Sequence, residues 1–126
     1  MDVVRSVLLR LEALPIRPDG IVLLHGSDPE IAVDGHSTDE VDYHLKLLKE
    51  HGLIDCPGSL SNDGGISFRK LTWAGHDFVD AVRDPAIWKK TKHSADAIGS
   101  ITFDLVKDLA KGFIKTKIEE HTGVKL

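Results

Sequence analysis

The sequence predicts an α+β fold, and three observations carry this prediction. A helical run from Asp39 to His51 stops at Gly52 and passes directly into a strand-like run, Leu53 to Cys56. A second strand-like run, Ile66 to Leu71, follows a loop rich in Gly and Ser. Because a helix that leads into a two-stranded hairpin is the order of a winged helix, we expect a winged-helix-like domain over residues 1–93. Its parts would be core helices, a small antiparallel sheet and a wing hairpin, followed over 94–126 by a linker and a C-terminal amphipathic helix.

The first elements are a helix and two short strands. Asp2 is placed to cap a helix to about Leu14, which ends at Pro15 and has one apolar stripe: Val4, Val7, Leu8, Leu11 and Leu14. Residues Ile21–Leu24 and Glu30–Val33 have strand composition and are separated by turn residues. No second helix of a standard helix-turn-helix is evident between them, which weakens the assignment to transcription factors.

The helix after residue 38 resembles a recognition helix in position. Ser37 or Thr38 would cap it, and Gly52 permits a left-handed stop. Its expected buried arc is Val41, His44, Leu45 and Leu48, widened by Tyr43 and Leu47, with His44 as a hydrogen-bonded core histidine. The opposite face contains Asp39, Asp42, Lys46, Lys49 and Glu50. Its net charge of minus one makes it a poor surface for reading DNA.

A third helix is expected from a cap at Thr72 to about Arg83, with an unusual polar face. Trp73, His76 and Asp80 fall on that face, and the i, i+4 spacing of His76 and Asp80 is that of metal ligands. The simpler interpretation is that Trp73 covers the sheet while His76 bonds locally and the aspartates are solvated. We therefore predict no metal and no cofactor, and treat Trp73, His76, Asp80 and Trp88 as an interaction face.

The C-terminal third is more basic. The Asp84-Pro85 pair indicates a helix start, after which Lys89, Lys90 and Lys92 accompany Trp88. These lysines are candidates for phosphate contact, or a solvated face. Residues 94–99 are interpreted as a linker, and Ile101 to about His121 as a long amphipathic helix. Its apolar stripe would be buried on its own chain or across a two-fold axis, and we expect a homodimer through Leu109, Phe113 and Ile114.

Composition limits the functional classes. The chain has 126 residues, is 41% hydrophobic and contains one cysteine, so one main domain without an intrachain disulfide is expected. A cytoplasmic protein without a membrane segment is the default. Residues 1–85 contain 8 Lys/Arg and 15 Asp/Glu, whereas residues 86–126 contain 8 and 5. No phosphate loop, nucleophile elbow, CxxC or HExxH occurs, and we expect no enzymatic activity.

Several blocks resemble a family of small uncharacterised proteins of bacteria and their phages. The most specific block is Leu71-Thr72-Trp73-Ala74-Gly75-His76, followed by Arg83-Asp84 and Trp88-Lys89-Lys90; the His44-Leu45-Lys46-Leu47-Leu48 part is common to many winged helices. The resemblance covers most of the chain and implies a winged-helix-like domain often found in mobile elements. It implies no activity and no site residue.

Two functional hypotheses follow. The first is a regulator that binds double-stranded DNA through Lys46, Lys49, Arg69 and Lys70, with Lys89, Lys90 and Lys92. The second is a protein-interaction module that keeps the winged scaffold and binds a protein partner, in a phage or host-defence setting. The base rate of winged helices favours the first hypothesis, and the local charge favours the second. The sequence prediction is the DNA-binding regulator, with the interaction module as the alternative.

Overall fold

The described part of the chain contains five helices and four short strands, and comprises residues 2–15, 20–57, 65–99 and 102–123 of a computed structural model. The helices are α1 (Asp2–Ala13), α2 (Thr38–Glu50), α3 (Trp73–Val82), α4 (Pro85–Ile98) and α5 (Phe103–Thr122). The strands are β1 (Val22–Leu24), β2 (Ile54–Asp55), β3 (Ile66–Phe68) and β4 (Lys70–Leu71). The α+β class is confirmed. Contacts divide the chain into two units, Met1–Asp77 and Phe78–Leu126.

In the first unit, α1 packs against α2 and β4. The predicted stripe of α1 is buried from Val4 to Leu11, as expected for an amphipathic helix with one core face. Ser37 caps α2 in a capping box: its hydroxyl accepts from the Glu40 amide at 3.2 Å, and the Glu40 carboxylate accepts from the Ser37 amide. Gly52 follows at φ 73°, the left-handed stop that the sequence predicts.

The strands form two antiparallel pairs. β1 pairs with β3, placing Leu24 opposite Ile66, and β2 pairs with β4, placing Asp55 opposite Lys70. The predicted return strand, Ile66–Leu71, is thus divided at Arg69, whose amide donates to the Asp55 carbonyl at 3.0 Å. Most of the predicted wing loop, residues 58–64, lies outside the described residues.

The predicted strand at Glu30–Val33 is wrong. The amides of Ile31 and Ala32 both donate to the carbonyl of Asp28 at 3.1 Å, so this segment forms a single tight turn. Pro29 directly after Asp28 explains the turn, because proline presets φ for a first helical position. Ile31 is fully buried, and this one apolar side chain accounts for the strand-like composition.

Helix α2 confirms most of its expected core face and corrects two residues, Tyr43 and His44. Val41, Leu45 and Leu48 are buried, whereas Tyr43 is 60% exposed and contacts the His44 ring edge-on. His44 bonds through Nδ1 to the Glu40 carbonyl at 2.7 Å, so the predicted hydrogen bond is present, but the residue is only half-buried and its prediction as a core histidine is wrong. The buried arc is therefore narrower than the hydrophobic pattern predicts, and Tyr43 belongs to the solvent face.

The second unit is built on the packing of α4 against α5. Both helices contribute buried residues, namely Ile87, Trp88, Thr91 and Ala95 from α4 and Val106 and Ala110 from α5. Asp84 caps α4 and also accepts from Lys117 Nζ of α5 at 2.9 Å. Phe78 contacts Phe103 edge-on, with ring centroids 5.5 Å apart.

The linker predicted at residues 94–99 is wrong, because α4 continues to Ile98 and ends at Gly99 with φ 81°. Alanine is the best helix former, and buried Ala95 gives the last turn an additional core contact. Residue 93, the expected end of the first domain, therefore lies inside a helix, and the contacts divide the chain earlier, after Asp77.

Candidate functional site

The start of α3 is fixed to the end of α2 by a junction of hydrogen bonds. The Thr72 hydroxyl donates to the Gly52 carbonyl at 2.6 Å and accepts from the Gly75 amide at 3.1 Å, and the Thr72 amide donates to the Leu53 carbonyl. A Cβ added at Gly75 would lie 2.0 Å from the Leu53 oxygen, so the backbones touch here. The junction holds the first turn of α3 in place.

Trp73, the first residue of α3, projects from this junction into solvent and is 93% exposed. It lines a groove of about 640 Å³ together with Asp55, Lys70, Leu71, Thr72 and His76. The expectation that Trp73 covers the sheet is wrong, because the junction directs this side chain outward. A large aromatic surface is therefore exposed in the first unit, where folding does not bury it.

The charges beside Trp73 are partly paired. Asp55 Oδ2 accepts from Arg69 Nε at 2.8 Å and from Nη2 at 2.5 Å. Lys70 is exposed and lies across the strand pair from Asp55. His76 Nδ1 is 4.0 Å from Glu12 Oε2, on α1. The structure thus brings together Arg69, Lys70, Trp73 and His76, which the sequence had divided between a nucleic-acid site and an interaction face. We call the groove lined by Trp73, Asp55, Lys70, Leu71, Thr72 and His76 the Trp73 groove, and Arg69 lies next to it through its pair with Asp55.

The solvent face of α2 is less basic than a DNA-reading surface requires. Lys46 is exposed and Lys49 is half-buried. Asp42 accepts from the Gly26 amide at 2.6 Å and so has a structural role. A hydrogen bond from His36, with a smaller contribution from the Ser37 amide, holds the pKa of Glu40 below its ordinary value. The Glu40 carboxylate is thereby kept ionised on this helix.

The other predicted site residues lie in the second unit. Lys89 and Lys90 are exposed on α4, while Lys92 places Nζ 6.0 Å from the Trp88 ring centroid. Trp88 is only 6% exposed, so it is a core residue and not part of an interaction face. Its position in the middle of the apolar stripe of α4 explains this burial. Asp80 is exposed and forms an ion pair with Arg83 at 2.9 Å.

The residues predicted for a dimer are not strongly exposed. Leu109, Phe113 and Ile114 are each half-buried on α5, and the same helix packs against α4 within the chain. Part of the apolar stripe is therefore covered by the chain itself, and the homodimer stays a prediction.

No group of three or more His, Cys, Asp or Glu side chains positioned to hold a metal ion occurs among the residues described. No helix in the described ranges is long and apolar enough to cross a membrane.

Comparison with known proteins gives a family without an assigned function. The model of the family described as hypothetical protein (DUF2513) matches residues 1–102. A Haemophilus influenzae protein, described as an uncharacterized protein, is 32% identical over 125 residues, covering 94% of this chain and 93% of the relative. No solved structure matches the chain. The junction and the Trp73 groove both lie within the family match.

Proposed function

We propose that this chain, which belongs to the DUF2513 family, is a protein-interaction module that binds a partner protein through the Trp73 groove on a winged-helix-like scaffold. One observation carries the proposal: Trp73 is 93% exposed although the helix that bears it is held by hydrogen bonds on its other side. Tryptophan is among the residues most enriched in binding hot spots, because a partner can bury its large surface.

The winged-helix-like assignment of the first unit is part of this proposal. Its support is the order of elements: a helix, a strand, a tight turn, a second helix and then three strands, of which the first and third pair antiparallel. The tight turn at residues 29–31 takes the place of the bracing helix that a DNA-binding helix-turn-helix normally has. A scaffold with a tight turn in place of the bracing helix is better suited to binding a protein than to binding DNA.

Charge favours a protein partner over DNA. Residues 1–77 contain 7 Lys/Arg and 13 Asp/Glu, and DNA affinity comes mainly from neutralising phosphates with Lys and Arg. Arg69, one of the predicted DNA-binding residues, already pairs with Asp55. Asp39 and Glu50 are exposed on α2 beside Lys46, so phosphates approaching this helix would meet both signs of charge.

Photocrosslinking at position 73 tests the proposal. A benzoylphenylalanine residue replaces Trp73 in the native host, and one placed at Ile98 serves as the control because Ile98 is 60% exposed in the second unit. The protein captured from position 73 is purified, and its affinity for the Trp73→Ala and Ile98→Ala variants is measured by titration calorimetry. We expect Trp73→Ala to weaken binding about 30-fold, since loss of a hot spot costs about 2 kcal/mol. Equal affinity for the two variants would overturn the proposal.

Double-stranded DNA is the second candidate, and the order of elements together with exposed Lys46 and Tyr43 on α2 favours it. Fluorescence anisotropy with mixed-sequence DNA, from about 50 to 200 mM salt, is the direct measurement. If DNA is the ligand, Lys46→Glu with Lys49→Glu weakens binding and flattens its salt dependence, while Lys111→Glu with Lys115→Glu, at exposed positions on α5 outside the predicted DNA-binding set, provides a charge-matched comparison. No binding at the lowest salt concentration excludes this candidate.

A further inference from the structure

The Trp73 groove contains one exposed lysine, Lys70, within an acidic unit. Two carboxylates lie at the groove: Asp55, next to Arg69, and Glu12, whose Oε2 is 4.0 Å from His76 Nδ1. The guanidinium of Arg69 makes two hydrogen bonds to the same Asp55 oxygen, so it is Arg69 that neutralises this carboxylate. Lys70 is exposed and lines the groove together with Trp73 and Leu71. An incoming group therefore meets an apolar surface next to one positive charge.

We propose that the segment that binds this groove is a peptide carrying a carboxylate next to an apolar side chain. This inference rests on the proposed function and adds the chemistry of the partner. The apolar side chain would cover the Trp73 ring, which gains most from being removed from water. The carboxylate would pair with Lys70, and the pairing sets orientation and specificity more than affinity.

A nucleic acid fits the groove less well, although tryptophan can stack on a base. Single-stranded nucleic acid is held by a positively charged groove that follows several phosphates. Here the groove offers one lysine, Lys70, besides the Arg69 that pairs with Asp55, and the unit that surrounds it contains 13 Asp/Glu against 7 Lys/Arg in residues 1–77. One carboxylate matches one lysine, whereas a polyanion would be repelled by the remaining acidic surface.

Trp73 fluorescence in the full-length Trp88→Phe variant gives a direct readout, because Trp73 is then the single tryptophan. The probes are two blocked peptides, acetyl-Leu-Glu-Phe-amide and acetyl-Leu-Lys-Phe-amide, and a single-stranded oligothymidine. At low salt we expect the Glu peptide to shift the emission to the blue and to bind roughly fivefold more tightly than the Lys peptide, as one surface charge pair allows. If Trp88→Phe does not fold, calorimetry on the unaltered chain makes the same comparison.

Charge reversal at Lys70 is the decisive variant. Lys70→Glu should reverse the order of the two peptides, whereas Lys46→Glu, an exposed lysine on α2, should leave the order unchanged. A Lys peptide preferred by the unaltered groove, an order that does not depend on residue 70, or no shift with either peptide would overturn the inference. Tighter binding of the oligothymidine would overturn it in favour of a nucleic acid.

The two proposals fail in distinguishable ways. If the peptide order is wrong but Trp73→Ala still loses the protein captured at position 73, only the assignment of a carboxylate partner is wrong. If Trp73→Ala retains that protein, the proposed function fails whichever peptide binds. The peptide titrations and the capture experiment therefore test different steps.

Discussion

Replacing Gly75 with alanine tests the junction that positions Trp73. In an open helix interior the replacement of glycine by alanine stabilises by about 1 kcal/mol, because glycine loses more backbone freedom on folding. Gly75 lies in α3, so helix propensity alone predicts a gain. The backbone contact between Gly75 and the Leu53 carbonyl acts in the opposite direction.

The magnitude follows from the geometry of that contact. The added Cβ would lie 2.0 Å from the Leu53 oxygen, and since Cβ contacts under 3.0 Å essentially do not occur, the two backbones must separate by about 1 Å. Overpacking of this kind costs about 1–3 kcal/mol, and loss of the bond from the Thr72 amide to the Leu53 carbonyl adds about 1 kcal/mol. After subtraction of the propensity gain, we expect a net destabilisation of about 2 kcal/mol, or a Tm lower by roughly 8 °C.

Thermal unfolding followed by far-ultraviolet circular dichroism measures the effect, with two matched variants. Gly112→Ala makes the same change on exposed α5, where an added Cβ meets nothing within 4 Å, and should raise Tm by about 4 °C. Ala74→Gly, at the exposed position beside Gly75, should cost only the propensity difference of about 1 kcal/mol. A Gly75→Ala protein as stable as the unaltered chain would refute the close backbone contact between Gly75 and Leu53.

Three further outcomes follow from single residues. Ser37→Ala should lower the free energy of unfolding in urea by about 1 kcal/mol through loss of the capping box, whereas Thr38→Ala, at the exposed first residue of α2, should have little effect. The hydrogen bond from Lys117, with two α4 amides, holds the pKa of Asp84 below its ordinary value of 3.8. The stability that this contributes is present above that value and is lost as pH falls through the folded-state pKa. Asp84→Asn keeps a cap, so its stability should depend less on acid in denaturation profiles from pH 3.8 downward. Burial raises the pKa of the Cys56 thiol to about 11. A disulfide reagent at about pH 8 should therefore modify this thiol slowly until urea unfolds the chain. Rapid modification of the folded protein would contradict the burial of Cys56.

The elements that the sequence predicts well have local signals. The Asp84-Pro85 pair marks the start of α4, Gly52 marks the stop after α2, and hydrophobic periodicity locates α1 and α5. The two wrong secondary-structure predictions, the strand at Glu30–Val33 and the linker at 94–99, occur where the burial of one side chain determines the local structure. Ile31 gives strand composition to a tight turn, and Ala95 extends α4 through a segment with the polar composition of a linker. Such errors depend on tertiary contacts that no local pattern contains.

The Trp73 groove depends on strand register as well as on helix direction. Lys70 lies opposite Asp55 only because β2 and β4 pair in one register, and a shift of one residue would move the lysine to the other face. The sequence between residues 55 and 70 includes β3, and its length does not fix that register in advance. The sequence therefore identifies Lys70 and Trp73 as separate candidates, and the fold brings them together.

The block Leu71-Thr72-Trp73-Ala74-Gly75-His76 separates into residues with two different roles. Thr72 and Gly75 are explained by folding, since one bridges α2 to α3 and the other allows their backbones to touch. Neither reason applies to Trp73, because an exposed side chain at the first helical position could be any polar residue with little change in stability. The junction holds the Trp73 side chain in solvent, where the contact of its large apolar surface with water is unfavourable. A bound partner would remove that surface from water. The junction thus has a function of its own in the proposal: it keeps Trp73 oriented before the partner arrives, so that little ordering remains to be done on binding.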